Sequence, residues 1–155
     1  KQKTAYEIMP SLVGSEMCIR DRYKPELIFT HWHDDFHPDH RELSKAVTDA
    51  FYLAALKNFE SKFEEHSAKN IFFYGRRIIP KIFIDISEVF DDKITALKMH
   101  RSQEEFLKEH EGLDSQYQGL TEEAKVINRY YGLLSGTKYA EAFMPLMEIA
   151  HRRIP

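Results

Sequence analysis

Ten consecutive residues hold most of the side chains that could do chemistry. Residues 31–40, HWHDDFHPDH, carry four of the chain's eight histidines and three aspartates. Imidazole and carboxylate are the usual ligands of a hydrolytic zinc, which keeps one position open for water and lowers that water's pKa to about 7. His37 and His40 stand three residues apart, so on a helix beginning at Pro38 they share roughly one side of the first turn. The free amides and positive dipole end of such a helix also favour an anion, such as the oxyanion of a tetrahedral intermediate. Structural readings stand beside these: Asp39 as a plain helix cap, Asp34 and Asp35 as a solvated turn pair, His31 as the end of a strand and Trp32 as cover for a sheet edge. The structural reading is weakest for His37 and His40 together, because paired exposed imidazoles at a strand end are a common metal arrangement.

The elements around this decapeptide read as alternating strands and helices. Residues 26–31, ELIFTH, form an apolar and β-branched run typical of a buried strand. From about Arg41 to Glu65, Leu43, Val47, Ala50, Phe51 and Ala54 recur at steps of three and four, one face of a long helix. Pro38, then Asp39 with Glu42 three residues on, signposts its start as a variant capping box. Ile71 to Tyr74 and Ile82 to Ile86 read as two further buried strands, separated by a turn around Gly75 and Pro80. Ser87 can cap a helix carrying Phe90, Ile94 and Leu97, and Thr121 one carrying Val126, Ile127, Tyr130 and Leu134. Residues 109–119 make a polar loop, and residues 139–149 a last helical piece interrupted by Pro145. Strands followed directly by helices imply an α/β fold with parallel pairing, in which ligands sit at the carboxyl ends of strands. The aromatic positions Phe51, Phe59, Phe63, Phe72, Phe73, Phe83 and Tyr130 are expected to be core.

Two metal patterns compete. His31 to Phe36 nearly spells the HxHxDH motif of metallo-β-lactamase-like hydrolases, with Phe36 standing where the last histidine is needed. The other pattern is His37-Pro38-Asp39-His40, preceded by Asp35 and followed by Arg41. On it the chain resembles the LmbE/PIG-L family of zinc-dependent de-N-acetylases, whose second signature is HPDH at the start of a helix. Further blocks follow in the family's order: LIFTH leading into DDFHPDHR, then FIDIS at 83–87, a helix with Lys93, Ala96 and Leu97, His100-Arg101-Ser102-Gln103, and Tyr139 to Phe143.

The resemblance implies a Rossmann-like, mostly parallel sheet with helices on both faces. It implies that His40 is a zinc ligand, that His37 stabilises the oxyanion or protonates the leaving amine, and that Asp39 orients His37. Arg41, His100 and Gln103 are candidates for substrate contact, with Tyr74 and Glu141 behind them. The implied reaction removes N-acetyl groups from GlcNAc-type sugar conjugates with one zinc ion. The family's first signature, an AHPDD-type block supplying two further ligands and a general base, does not occur before residue 31.

Residues 1–22, KQKTAYEIMPSLVGSEMCIRDR, lack sustained periodicity and closely resemble the in-frame translation of a sequencing adapter. The expectation is therefore a non-native segment at 1–22, followed at 23–155 by the carboxyl-terminal part of a single deacetylase domain. Its first strand–helix unit would be missing, and the fragment inactive for want of the first metal motif. Without residues 1–22 the chain loses four positive and three negative charges, leaving net −4 over 133 residues and no cysteine.

Composition sets the outer bounds. The 155 residues, 43% of them hydrophobic, suit an ordinary globular domain, and no apolar run approaches the roughly 20 residues of a membrane helix. Net charge −3 without a basic cluster argues against a nucleic-acid surface. A single cysteine fits a reducing compartment, so the expectation is a cytoplasmic protein acting on a small amino-sugar conjugate, with homo-oligomerisation left open. Two other readings are retained: a metallohydrolase using His31 and His33, and a non-catalytic binding protein of the same fold.

Overall fold

The computed structural model describes residues 23–56, 66–103, 105 and 119–149. The adapter-like stretch, the second half of the expected long helix with Phe59 and Phe63, and nearly all of the polar loop lie outside the described residues. The chain divides into two compact units, Lys1–Lys81 with Phe143–Pro155, and Ile82–Ala142.

The first unit carries the decapeptide. Strand β1 (Leu27–His31) runs parallel to β2 (Asn70–Tyr74), with Phe29 opposite Phe72 and His31 opposite Tyr74. Helix α1 (Pro38–Ala54) lies between them in sequence, as a parallel pair requires of its crossover. Its three- and four-residue apolar spacing puts Val47 and Phe51 against Ala68, Ile71 and Phe73, and Ile28, Trp32, Leu43, Met144 and Leu146 pack around that cluster. Ile71 has no exposed surface. On the other side of the strands Phe29 meets Phe72 and Phe143 at ring separations of 5.4 and 5.2 Å. The strand was expected to be buried, yet Leu27 and Phe29 are 43% and 49% exposed. Alternation sends successive side chains to opposite faces: Thr30 is buried on one, while Phe29 on the other is covered only in part by Phe72 and Phe143.

Strand β4 (Ala140–Pro145) replaces the helix expected over 139–149. Its last residues pair antiparallel with β2, Phe72 opposite Pro145 and Phe73 opposite Met144, so the sheet is mixed. Within the first unit the neighbour order is β1-β2-β4. Ala, Glu and Met favour helices in isolation, but backbone pairing along β2 outweighs that preference, and Pro145 at the strand's end costs no interior ladder bond.

In the second unit β3 (Ile82–Asp85) neighbours β4, and α2 (Phe90–Lys98) and α3 (Leu120–Ser135) complete the layer. Ile84 and Asp85 are exposed, so β3 is a half-open strand instead of the buried one expected. Ile86, Phe90 and Ile94 form the core with Leu97, Ala124 and Tyr139, and Phe90 stacks on Tyr139 at 3.7 Å. Lys93 Nζ donates to Asn128 Oδ1 at 2.9 Å and Glu141 Oε1 at 2.5 Å, tying α2, α3 and β4 together. The expected caps differ: Val89 and Gly119 occupy the N-cap positions of α2 and α3. Ser87 instead donates to Asp85 Oδ1 and accepts from the Tyr139 amide.

Candidate active site

The parallel β1–β2 pair ends at His31 and Tyr74, and the chain turns from there through residues 32–37 into α1. Gly75 makes room for that turn. At φ +154° it adopts a conformation that favours glycine, and a Cβ there would stand 3.3 Å from Trp32 Cβ and 3.5 Å from Asp35 Oδ2. The Trp32 amide bonds to Tyr74 O at 2.9 Å, fastening the turn to the end of β2.

Asp35 is buried, at 7% exposure, while Asp34 stays exposed with Arg77 3.9 Å away. The solvated-turn reading therefore holds for Asp34 and fails for Asp35. Asp35 Oδ1 accepts from the His37 amide at 2.9 Å and lies 3.2 Å from His40 Nδ1, an approach outside hydrogen-bond alignment.

His37 caps α1. Its Nδ1 accepts from the Asp39 amide at 3.2 Å, so the expected cap at Asp39 is corrected: Asp39 sits inside the first turn. A backbone N–H can only donate, which leaves the neutral His37 ring with its proton on Nε2. The Asp39 carboxylate is exposed, and the recorded bond between the two residues runs through the Asp39 amide.

Three imidazoles stack at the mouth of the helix. His40 lies 3.9 Å from His31 and 4.7 Å from His37, centroid to centroid, with interplanar angles of 21° and 28°. His31 also touches the Tyr74 ring at 4.8 Å. Burial, followed by the nearby His40, holds His31 below the ordinary imidazole range against the pull of Asp35. Burial, and then Asp35, pushes the Tyr74 hydroxyl up. Both responses fit groups withdrawn from water around one carboxylate.

Arg41 turns back onto the loop, where its Nη1 donates to Asp35 O and Phe36 O, both at 2.9 Å. It also borders a cleft of about 580 Å³ floored by Trp32, Phe73 and Met144. His33 rests on Trp32 at 3.8 Å, apart from the stack. His100 and Gln103 belong to the second unit, just beyond α2, both exposed and joined by a 3.1 Å backbone bond from Gln103 N to His100 O. Sequence reasoning thus singled out His37 and His40, while it read Asp35 as a turn residue and grouped His31 with His33, which lies apart from the stack. The signal available for Asp35 was its place two residues before a histidine that opens a helix.

The zinc implied by the HPDH resemblance can be tested against these donors. Among the described residues no three His, Cys, Asp or Glu side chains gather so as to hold an ion. His40 Nδ1 is turned toward Asp35, leaving one ring nitrogen for a metal. The described set does not by itself fit a zinc site, and no step below runs through a metal.

The architecture defines the class first: an α/β protein with a strand-end histidine cluster at a helix mouth. No family model matches the chain. A diacetylchitobiose deacetylase from Thermococcus kodakarensis is 34% identical over 116 residues, 70% of this chain and 40% of its own length. A conserved protein of Thermus thermophilus superposes with TM-score 0.77 at 26% identity, over 92% of this chain and 61% of that one. A 4-carboxy-2-hydroxymuconate hydratase from Pseudomonas putida (TM-score 0.72, 17% identity, 94% of this chain and 62% of that one) shares the fold. So does an N,N'-diacetylchitobiose deacetylase from Pyrococcus horikoshii (0.69, 21%, 88% and 51%). The chain belongs to the LmbE/PIG-L family. It spans about two-fifths of the length of the curated relative it matches.

Proposed function

We propose that this chain is part of a de-N-acetylase that hydrolyses the acetamide of an amino-sugar conjugate, GlcNAc-type as in diacetylated chitobiose. The observation that carries the reading is the HPDH cap. It sets His37 with an Nε2 proton at the amino end of α1, stacked on His40. Fold alone would not choose this chemistry, since a hydratase shares it; the site residues together with the deacetylase relative favour it.

In the reaction, water adds to the acetamide carbonyl, the C–N bond breaks, and acetate and a free amine leave. His37 donates its Nε2–H as a hydrogen bond to the oxyanion, where a positioned donor is worth about 10²–10³-fold, while the proton that water gives up passes through a base outside the described residues to the departing nitrogen. Asp39 is assigned to orient His37. Arg41, with Nη1 committed to the loop, keeps further N–H groups toward the cleft for sugar hydroxyls. His100 and Gln103 are retained as candidate sugar contacts.

Zinc dependence belongs to the proposal. His40 is the one described residue put forward as a ligand, with the remaining ligands outside the described residues, and on this reading the chain alone does not turn over. No described helix is long and apolar enough to cross a membrane. A cytoplasmic setting is likewise proposed.

The test joins residues 23–155 to the amino-terminal part of the Thermococcus deacetylase and follows acetate release from diacetylchitobiose. The expected result is activity lost on chelation, restored by zinc, and zinc content reduced in His40→Ala. Full activity in a metal-free sample, or unchanged zinc content in His40→Ala, contradicts the assignment.

A further inference from the structure

We propose that Asp35 is a positioning residue that fixes the tautomer of His40, opposite to the one the Asp39 amide fixes on His37. One ring then offers an N–H and its stacked neighbour a lone pair. The inference deepens the deacetylase reading and rests on it for the use of the two nitrogens, though the tautomers themselves can be measured without it.

Asp35 is 7% exposed, and its Oδ1 faces both the His37 amide at 2.9 Å and His40 Nδ1 at 3.2 Å. An ionised carboxylate only accepts. A bare His40 Nδ1 would set two lone pairs against each other at 3.2 Å; a protonated one sets a donor against an acceptor. His40 is 36% exposed as a residue, but its Nδ1 is sealed from solvent and has no other hydrogen-bond partner. Leaving such a buried nitrogen unpaired is costly, so a modest ring rotation that aligns it with Asp35 is favoured. The proton then sits on Nδ1, and Nε2 keeps its lone pair.

His37 is fixed the other way, since its Nδ1 is already taken by the Asp39 amide. Asp35 contributes here as well, holding the His37 backbone that presents the ring. Asp35 is held at its backbone and given room at its carboxylate. Arg41 clamps the Asp35 and Phe36 carbonyls, and Gly75 leaves the space into which Asp35 Oδ2 fits. An Nε2–H suits an oxyanion, and an Nε2 lone pair can accept a hydrogen bond from water or substrate. Two like tautomers would supply only one of these.

Long-range ¹H–¹⁵N spectroscopy of the full chain at about pH 8.5, where imidazoles are neutral, reads the tautomers directly. His37→Gln and His40→Gln supply the assignments. The expected result is His40 protonated on Nδ1 and His37 on Nε2, with Asp35→Asn, which keeps an acceptor oxygen, retaining the His40 pattern and Asp35→Leu losing it. In the chimeric enzyme the same Leu variant should lower kcat roughly 10- to 100-fold, the range for lost outer carboxylate partners, with KM changed far less and activity partly recovered by Asn.

His40 protonated on Nε2 in the unmutated chain overturns the proposal even if Asp35→Leu does not fold. An unchanged His40 signature in a folded Asp35→Leu also overturns it. A chimera that releases no acetate while showing opposite tautomers counts against the deacetylase reading and leaves the assignment of Asp35 standing.

Discussion

His37 does two things that one substitution can separate. As the cap of α1 it accepts the Asp39 amide through Nδ1; as the proposed oxyanion donor it needs the proton on Nε2. Asparagine keeps a cap acceptor and has no such proton, whereas alanine has neither. His37→Asn is therefore expected to unfold within about 0.5 kcal/mol of the parent, and His37→Ala about 1 kcal/mol earlier, while both lose the activity assigned to the ring. Equal destabilisation by the two variants in urea melts would show that the cap bond contributes nothing. At this scale the sequence was informative about which histidines matter, because HPDH fixes their spacing. It misread Asp35 as a solvated turn residue, because Gly75, against which its carboxylate packs at the end of β2, lies forty positions along.

Elements were legible where periodicity was strong and obscure where pairing decided. The apolar spacing of α1 and the short runs of β1, β2 and β3 carry their own signal; the strands fall within a few residues of expectation, whereas α1 ends at Ala54 instead of continuing to Glu65. Strand β4 does not, because AEAFMP reads as helical until β2 is beside it. The caps failed for a related reason. Ser87 was the nearest capping side chain to α2, but β3 and Tyr139 compete for it. That competition gives a test. The Ser87 hydroxyl, and after it the Ser87 amide, hold the Asp85 carboxyl below its ordinary value of 3.8. Because the folded value is depressed, the stabilisation is present above pH 3.8 and is lost as pH falls through the folded value. In Ser87→Ala, carboxyl ¹³C titration should find Asp85 moved up toward 3.8 but stopping short, the amide bond remaining; an unmoved Asp85 contradicts this. Gly132 tests the close of α3. A Cβ there would lie 2.6 Å from Lys138 O and 2.9 Å from Thr137 O. Alanine normally stabilises a helix interior by about 1 kcal/mol over glycine, yet Gly132→Ala should melt earlier, by about 1–3 kcal/mol.

The described residues form two cores, one around Ile71 with the histidine cluster at its strand ends, the other around Phe90 and Ile94. Family membership follows from motif, fold and relatives together, whereas the reaction rests on a few side chains in the first unit. The most direct measurement is acetate release from diacetylchitobiose by the chimeric enzyme, with and without His37→Asn. The account predicts turnover by the parent chimera and a loss of at least about 10²-fold in kcat in the variant, with the fold intact by circular dichroism. A folded, zinc-loaded chimera that releases no acetate, or a His37→Asn variant within about tenfold of its parent, would contradict it.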